Sequence, residues 1–331
     1  MSAEYLLGYD IGGTKTAVIL GKPYGGEIEI LRRIAFPTGT EFGPEHTLSL
    51  LERHTAEILA AEGIGFADVA GLGISCGGPL DSHRGVILGP PNLPGWDDVP
   101  IVSRFAERFG IPVHLQNDAN ACALAEWRWG AGRGSRNMIF LTFGTGIGAG
   151  LILDGRLYSG TNDLAGEAGH VRLAEDGPYG YGKRGSFEGF CSGGGIAQAA
   201  RDAIRERWSR GEDVPLCPNR DDIDRLDAQM VAGAARAGDE LALAVFNQTA
   251  EYLGRGLSML IDILNPEVIV IGSIFVRAHD LLVRGMEDAI RRETLPLSAG
   301  VCQVVPAVLG EALGDYAALS LAKGEKLEAE G

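Results

Sequence analysis

Two segments of this chain share one layout, and the repetition limits what it can fold into. Tyr5-Leu-Leu-Gly-Tyr-Asp-Ile-Gly-Gly-Thr-Lys-Thr-Ala-Val-Ile-Leu20 and Ile139-Phe-Leu-Thr-Phe-Gly-Thr-Gly-Ile-Gly-Ala-Gly-Leu-Ile-Leu153 each read as an apolar strand, a tight polar turn and a second apolar strand. Small turn residues leave backbone N–H groups open to an anion. One such hairpin alone needs nothing more than a tight turn. Two of them, a domain length apart in the chain, point to internal duplication: two related lobes, each offering a phosphate-binding turn to a common cleft. Neither fits a P-loop, because Gly12-Gly13-Thr14-Lys15 lacks the spacing and does not feed a helix. The dinucleotide fingerprint fails as well, since Gly144-x-Gly146-x-Gly148 runs into the strand-like Leu151-Ile152-Leu153.

Composition agrees with two lobes. With 331 residues, 45% of them hydrophobic, the chain can bury a large core, and its length suggests about two domains. Lys and Arg number 29 against 44 Asp and Glu, a net charge of −15, which argues against nucleic acid as a partner. A nucleotide remains compatible, because backbone amides, a lysine and Mg²⁺ can hold a small anion. The start of the chain has no secretory pattern, and no stretch reaches the length of a membrane span, so a cytoplasmic protein without a membrane partner is expected. The five cysteines form no C-x-x-C pair and read as incidental thiols.

Periodicity places a helix from Pro44 to Glu62 and a buried strand from Val69 to Ser75. The Gly- and Pro-rich stretch from Gly77 to Trp96 comes next, and its punctuation excludes regular structure. Asn92 and the Gly77-Gly78 pair are candidates there for substrate contact; a stiff connector closed by Trp96 is the plainer reading. A strand to Gln116 and a helix from Ala119 to Trp129 put Asn117 and Asp118 where strand meets helix, the end at which open α/β sheets present ligands. One of the two is expected to cap the helix. A carboxylate at that place can also accept a proton from an attacking hydroxyl.

Beyond the second hairpin, Glu167 and His170 lie three residues apart, a spacing better suited to gripping a hydroxylated ligand than to holding a metal without further ligands. A flexible tract from Gly177 to Glu188 is expected next. Gly193 to Gly195 either let backbone approach a ligand or open a helix. A long helix from Asp239 to Leu264, a strand from Val268 to Ser273 with Gly272 at its end as a nucleotide contact, a strand from Gln303 to Val308 and a helix from Glu311 to Leu321 complete the second lobe. The charged run from Lys323 to Gly331 is expected to fray.

Asp10-x-Gly12-Gly13-Thr14-Lys15, Asn117-Asp118-Ala-Asn120, Gly144-Thr145-Gly146-x-Gly148 and Gly166-Glu167-x-Gly-His170 stand in the order and spacing of the ROK family of repressors and sugar kinases, which the chain resembles from Asp10 to beyond Gly272. The resemblance implies an α/β, actin-like ATPase fold of the sugar kinase and Hsp70 type, with two related lobes around a cleft that closes on ATP. The small lobe would span 1–117, joined by the C-terminal helix 311–331, and the large lobe 118–310.

By the same resemblance, Asp10 places Mg²⁺ carried by ATP, while Gly12, Gly13, Thr14, Lys15, Gly144, Thr145, Gly146, Gly193 and Gly272 bind the nucleotide. Gly78, Asn92, Asn117, Asp118, Glu167, His170 and Glu188 bind the sugar, with Asp118 the general base on its 6-hydroxyl. Glucose is the first expectation, with N-acetylmannosamine, N-acetylglucosamine, fructose and allose as alternatives, and a non-catalytic sugar sensor on the same fold as the rival class. A repressor is not expected, because Asp10 leaves no room before it for a helix-turn-helix region. A homodimer is expected only by analogy. Relatives with a structural zinc carry Cys-x-Cys-Gly-x-x-Gly-Cys-x-Glu after the histidine. Here Tyr179, Tyr181 and Ser186 replace the three cysteines, so zinc is not expected, and packing of the two tyrosines is expected to hold the loop.

Overall fold

Residues 4–323 are described by a computed structural model, so the last part of the expected helix 311–331 and the tail from 324 onward lie outside the described residues. The first glycine hairpin is β1 (Tyr5–Ile11) and β2 (Lys15–Tyr24), antiparallel, with Ile11 opposite Thr16; β3 (Glu27–Pro37) extends it. In α1 (Pro44–Glu62), Pro44 takes the first helical position, where its missing N–H leaves no bond unmade, and Gly63 at φ 67° ends the helix. β4 (Val69–Cys76) comes next. The stretch after it is not free of regular structure, as its punctuation suggested: β5 (Leu80–Asp81) and β6 (Val86–Ile87) pair antiparallel, and Ile87 also bridges to Val99. Trp96 is fully buried within this stretch. α2 (Ile101–Phe109), β7 (Val113–Asn117) and α3 (Asp118–Trp129) complete this part. Asn117 is the cap of α3, its Oδ1 accepting from the Ala119 N–H at 2.9 Å.

The second hairpin is β8 (Met138–Phe143) and β9 (Ile147–Leu153), with β10 (Arg156–Leu157) after it. The tract from Gly177 also has structure where flexibility was expected: β11 (Tyr179–Gly180) pairs with β12 (Lys183–Arg184), and Glu188 sits in α4 (Phe187–Cys191), capped by Ser186. α5 (Gly193–Ser209) and α6 (Ala228–Arg236) precede α7 (Glu240–Leu264), which Asp239 caps and Asn265 ends at φ 45°. β13 (Val268–Ile271), α8 (Ile274–Arg277), α9 (His279–Glu293), α10 (Pro296–Ala299), β14 (Gln303–Pro306) and α11 (Leu313–Leu321) finish the described chain.

The two sheets have orders β3-β2-β1-β4-β7 and β10-β9-β8-β13-β14, the same order of third, second, first, fourth and fifth strand. That identity is the structural form of the repeated hairpins. In the first sheet β1, β4 and β7 run parallel, with Ile11 beside Cys76 and Cys76 beside Asn117, so all three strands end together.

One compact unit comprises residues 4–140, 150–165 and 308–323 of the described chain, and the other residues 141–149 and 166–307. In the first, α1 and α2 cover one face of the sheet, burying Leu7, Tyr9, Leu51, Ile74 and Phe105, with the Tyr9 hydroxyl bonded to Thr55 Oγ1 at 2.6 Å. α11 covers the other face and packs on α3. The approach is so close that a methyl on Gly73 would lie 2.7 Å from Leu321 Cβ and 2.8 Å from the Ala322 nitrogen. Glycine at this strand position is therefore a packing requirement. Glu126 on α3, fully buried, ties the chain entering α11 to that helix: Oε1 accepts from the N–H groups of Val308 and Leu309, both at 3.0 Å, and Oε2 from Ala131 at 2.8 Å. Among the described residues, no helix is long and apolar enough to cross a membrane.

Candidate active site

Because β1, β4 and β7 end side by side, the loops leaving the three strands are gathered at one edge of the first unit. These are the Gly12–Gly13–Thr14 turn, the Gly77–Gly78 pair and the Asn117–Asp118 junction. The turn is held by Thr38: its Oγ1 donates to the Gly12 carbonyl at 2.6 Å and its N–H to the Thr14 carbonyl at 3.0 Å. Asn92 lies directly against it. A methyl on Gly13 would stand 2.9 Å from Asn92 Cβ and closer still to the Asn92 carbonyl oxygen. A methyl on Gly77 would be 3.4 Å from Asn92 Oδ1, and one on Gly78 would be 3.1 Å from Asn117 Nδ2. Gly13 and Gly77 thus pack on Asn92 and Gly78 on Asn117, while Thr14, Lys15, Asn92 and Asp118 keep surfaces open to water.

The charges here are acidic and mutually repelling. Asp10, near the end of β1, has its carboxyl raised to about 6, first by burial and then by the charges of Asp315 and Asp118, against the smaller opposing pull of Arg33 and Lys15. Arg33 is engaged by Asp315, both of whose carboxylate oxygens accept from its Nε at 2.8 Å. Asp118 is raised as well. Desolvation by the protein packed around it outweighs the hydrogen bond its Oδ1 accepts from the Ala119 N–H at 2.8 Å, although one side of the residue still meets water. A raised carboxylate is a better proton acceptor at neutral pH than an ordinary one.

The second unit carries the other half of the expected residues. The turn of the second hairpin closes with the Gly144 N–H donating to the Gly146 carbonyl at 3.1 Å, and the Gly144 carbonyl accepts from the Gly193 N–H at 2.8 Å. The turn therefore sits on the start of α5, whose Ser192 cap accepts from the Gly195 N–H at 3.0 Å. Beside them opens a cavity of about 700 Å³, lined by Gly144, Thr145, Gly193 and Gly194 together with side chains of α5, α6 and the β13–α8 junction.

Gly272 is buried, its N–H spent on the Leu141 carbonyl at 3.0 Å; Ser273 and Ile274, just after it, line the cavity instead. Ser273 holds φ 58°, a conformation a non-glycine residue adopts only at a cost. Arg201, Asp227 and Arg277 line the same cavity and were not among the expected residues. Their signal was helical spacing: Gly194, Ala197 and Arg201 fall three and four apart on α5, and Ala228, Ala232 and Arg236 four apart on α6.

Glu188 places Oε2 3.1 Å from the Ile147 N–H that donates to it, and a methyl on Gly146 would meet the same oxygen at 2.5 Å, so Glu188 stands against the hairpin turn. Glu167 begins the short turn Ala168–His170, and both Glu167 and His170 are exposed. The expectation that packed tyrosines hold the β11–β12 tract is corrected. Tyr179 and Tyr181 are 55% and 68% exposed, and Tyr181 only meets the His170 ring edge-on at 5.7 Å. Backbone contacts hold the tract instead, with the Gly185 N–H donating to the Pro178 carbonyl at 3.1 Å and the Leu173 N–H to the Gly185 carbonyl at 2.8 Å. Among the described residues no three His, Cys, Asp or Glu side chains converge on a metal position.

The family model for the ROK family matches residues 6–325. The glucokinase of Thermotoga maritima is 32% identical over 319 residues, which is 96% of this chain and 97% of that protein. Among solved structures, the ROK hexokinase from Thermus thermophilus is 31% identical with a TM-score of 0.77, over 96% of this chain and 97% of the other. A ROK family glucokinase from Streptomyces griseus, solved with glucose and AMPPNP, is 30% identical with a TM-score of 0.75, over 96% and 99%. With a family match over nearly its whole length and two like-ordered sheets, the chain belongs to the ROK family and has the actin-like ATPase fold of that family's sugar kinases.

Proposed function

We propose that the protein is an ATP-dependent hexose kinase that phosphorylates the 6-hydroxyl of glucose. The observation that carries the reading is the gathering of an anion-type glycine turn, Asn92, Asn117 and the raised carboxylate of Asp118 at the common end of three parallel strands. Likeness over the full chain to a glucokinase solved with glucose and AMPPNP supports the substrate pair.

In this reading, Asp118 accepts the proton of the 6-hydroxyl as its oxygen bonds to the γ-phosphorus, and the bond from that phosphorus to the β–γ bridging oxygen breaks to release ADP. Asn92, Asn117, Glu167, His170 and Glu188 hold sugar hydroxyls, Gly78 keeps Asn117 in place, and Gly12 to Lys15, Gly144 to Gly146 and Gly193 address the nucleotide, while Gly272 only sets the strand end that precedes Ser273. Asp10 suits Mg²⁺ carried on the phosphates: it is a hard oxygen donor crowded by two other carboxylates, and Mg²⁺ bound largely through phosphate and water needs no all-protein cage. When bound, the ion neutralises charge on the transferring phosphoryl group.

ADP release measured with Mg-ATP against glucose, N-acetylglucosamine, N-acetylmannosamine, fructose and allose tests the assignment. The highest kcat/KM is expected on glucose, and no sugar turned over above background overturns it. Tyrosine and serine are poor zinc ligands, so we also propose that the β11–β12 tract works without zinc. Metal analysis of protein purified without added zinc should find none, and one zinc per chain would contradict this.

A further inference from the structure

The first unit contains a cavity of about 530 Å³ that runs along β7 as far as Gln116, two residues before Asp118, which does not itself line it. Its walls are the edge strand β7, one face of α3, β10 and the end of α11. No Asp or Glu lines it among the described residues, although the chain as a whole carries a net charge of −15. Arg128 of α3 and Arg156 of β10 both line it together with His83 and His114, and among the described residues neither arginine has a carboxylate partner.

Arg128 is largely buried. One end of its guanidinium donates to the Ser320 carbonyl, and its Nε is buried with no acceptor. Desolvation by burial lowers its pKa to about 10. A buried, unpaired guanidinium is costly unless an anion completes it. Leu115, Leu124, Trp127 and Leu157 give part of the wall an apolar face, and Ser82, His114, Gln116 and Ser320 add polar groups to it.

We infer that this cavity is a ligand site for a small organic phosphate of about hexose size, the phosphate meeting Arg128 and Arg156 and the carbon skeleton lying on the leucine and tryptophan wall. Two planar guanidinium forks match tetrahedral phosphate oxygens in a way a single lysine would not. The volume falls within the range of small-molecule sites. The inference does not depend on the proposed kinase reaction, because binding is read without ATP.

The test is calorimetric titration of the full chain with glucose 1-phosphate and, separately, inorganic phosphate, in the presence of saturating glucose. Arg156→Gln, at an exposed position that leaves the core alone, is expected to weaken binding of glucose 1-phosphate about tenfold or more, and Arg128→Met at least as much. Asp118→Asn is expected to leave it unchanged. Binding that survives Arg156→Gln but is lost in Asp118→Asn would assign the phosphate to the candidate active site and overturn the inference. Absence of binding to the parent protein up to roughly 10 mM, a Kd corresponding to less than about 3 kcal/mol, would overturn it too.

Discussion

Gly13→Ala is the sharpest local perturbation the geometry offers. The new methyl would stand 2.9 Å from Asn92 Cβ and closer to the Asn92 carbonyl oxygen, where carbon atoms normally rest about 3.5 Å or more apart. The turn and the Asn92 loop must therefore separate by at least about 0.6 Å, and by more to clear the carbonyl. Both are backbone, so no flexible side chain can absorb the move. A displacement approaching 1 Å between groups that position reactants costs about 100-fold in rate. We expect kcat/KM for glucose to fall about 10- to 100-fold while the thermal midpoint changes little, since the turn is at the surface. Gly233→Ala, where a methyl meets nothing within 4 Å, is the control and should keep parental activity. Steady-state kinetics with a melting curve on both variants decides the matter. A folded Gly13→Ala protein with kcat and KM within about twofold of the parent would refute the claim that the turn must be seated on Asn92.

The raised carboxyl of Asp10 has a definite sign in the pH dependence of stability. It titrates at about 6 in the folded chain against an ordinary value of 3.8, so its charged form is disfavoured by folding and stability is lost as pH rises through that window. Asp10→Asn should therefore be more stable than the parent above about pH 6, by at most about 3 kcal/mol, with the gain gone below about pH 4; denaturant melts at about pH 4 and pH 7.5 showing equal differences would contradict this. Glu126→Ala removes the acceptor of three part-buried backbone N–H groups, of Ala131, Val308 and Leu309, which water can partly satisfy, and should cost about 1–3 kcal/mol. Glu126→Gln, which keeps one carbonyl oxygen, should cost clearly less, and equal losses in the two variants would show that packing rather than hydrogen bonding sets the effect.

Much of the architecture was legible because its signals are strong and local. Nearly continuous apolar runs on either side of Gly12–Thr14 and Gly144–Gly146 specify the two hairpins. Pro44 and Gly63 bracket α1, and Asp239 and Asn265 bracket α7. The junction of β7 and α3 was readable because Asn117 caps the helix that Asp118 begins. Two-residue strands such as β5, β6, β11 and β12 are too short to show a period, so the stretches holding them looked irregular. The exposure of Tyr179 and Tyr181 could not be read either. Their tract is closed by backbone bonds of Leu173, Pro178 and Gly185, which leave no mark on apolar patterning. The same holds for Arg128 and Arg156, ordinary in sequence, which share a cavity only because α3 and β10 come together in the fold.

The central claim is that Asp118 removes the proton from the sugar hydroxyl that attacks ATP. Its most direct test is turnover of glucose with Mg-ATP by the parent and by Asp118→Asn, together with glucose affinity by calorimetry for each. Loss of about two to four powers of ten in kcat, with glucose affinity kept within a few-fold, is the predicted result. Parental turnover in Asp118→Asn would contradict it.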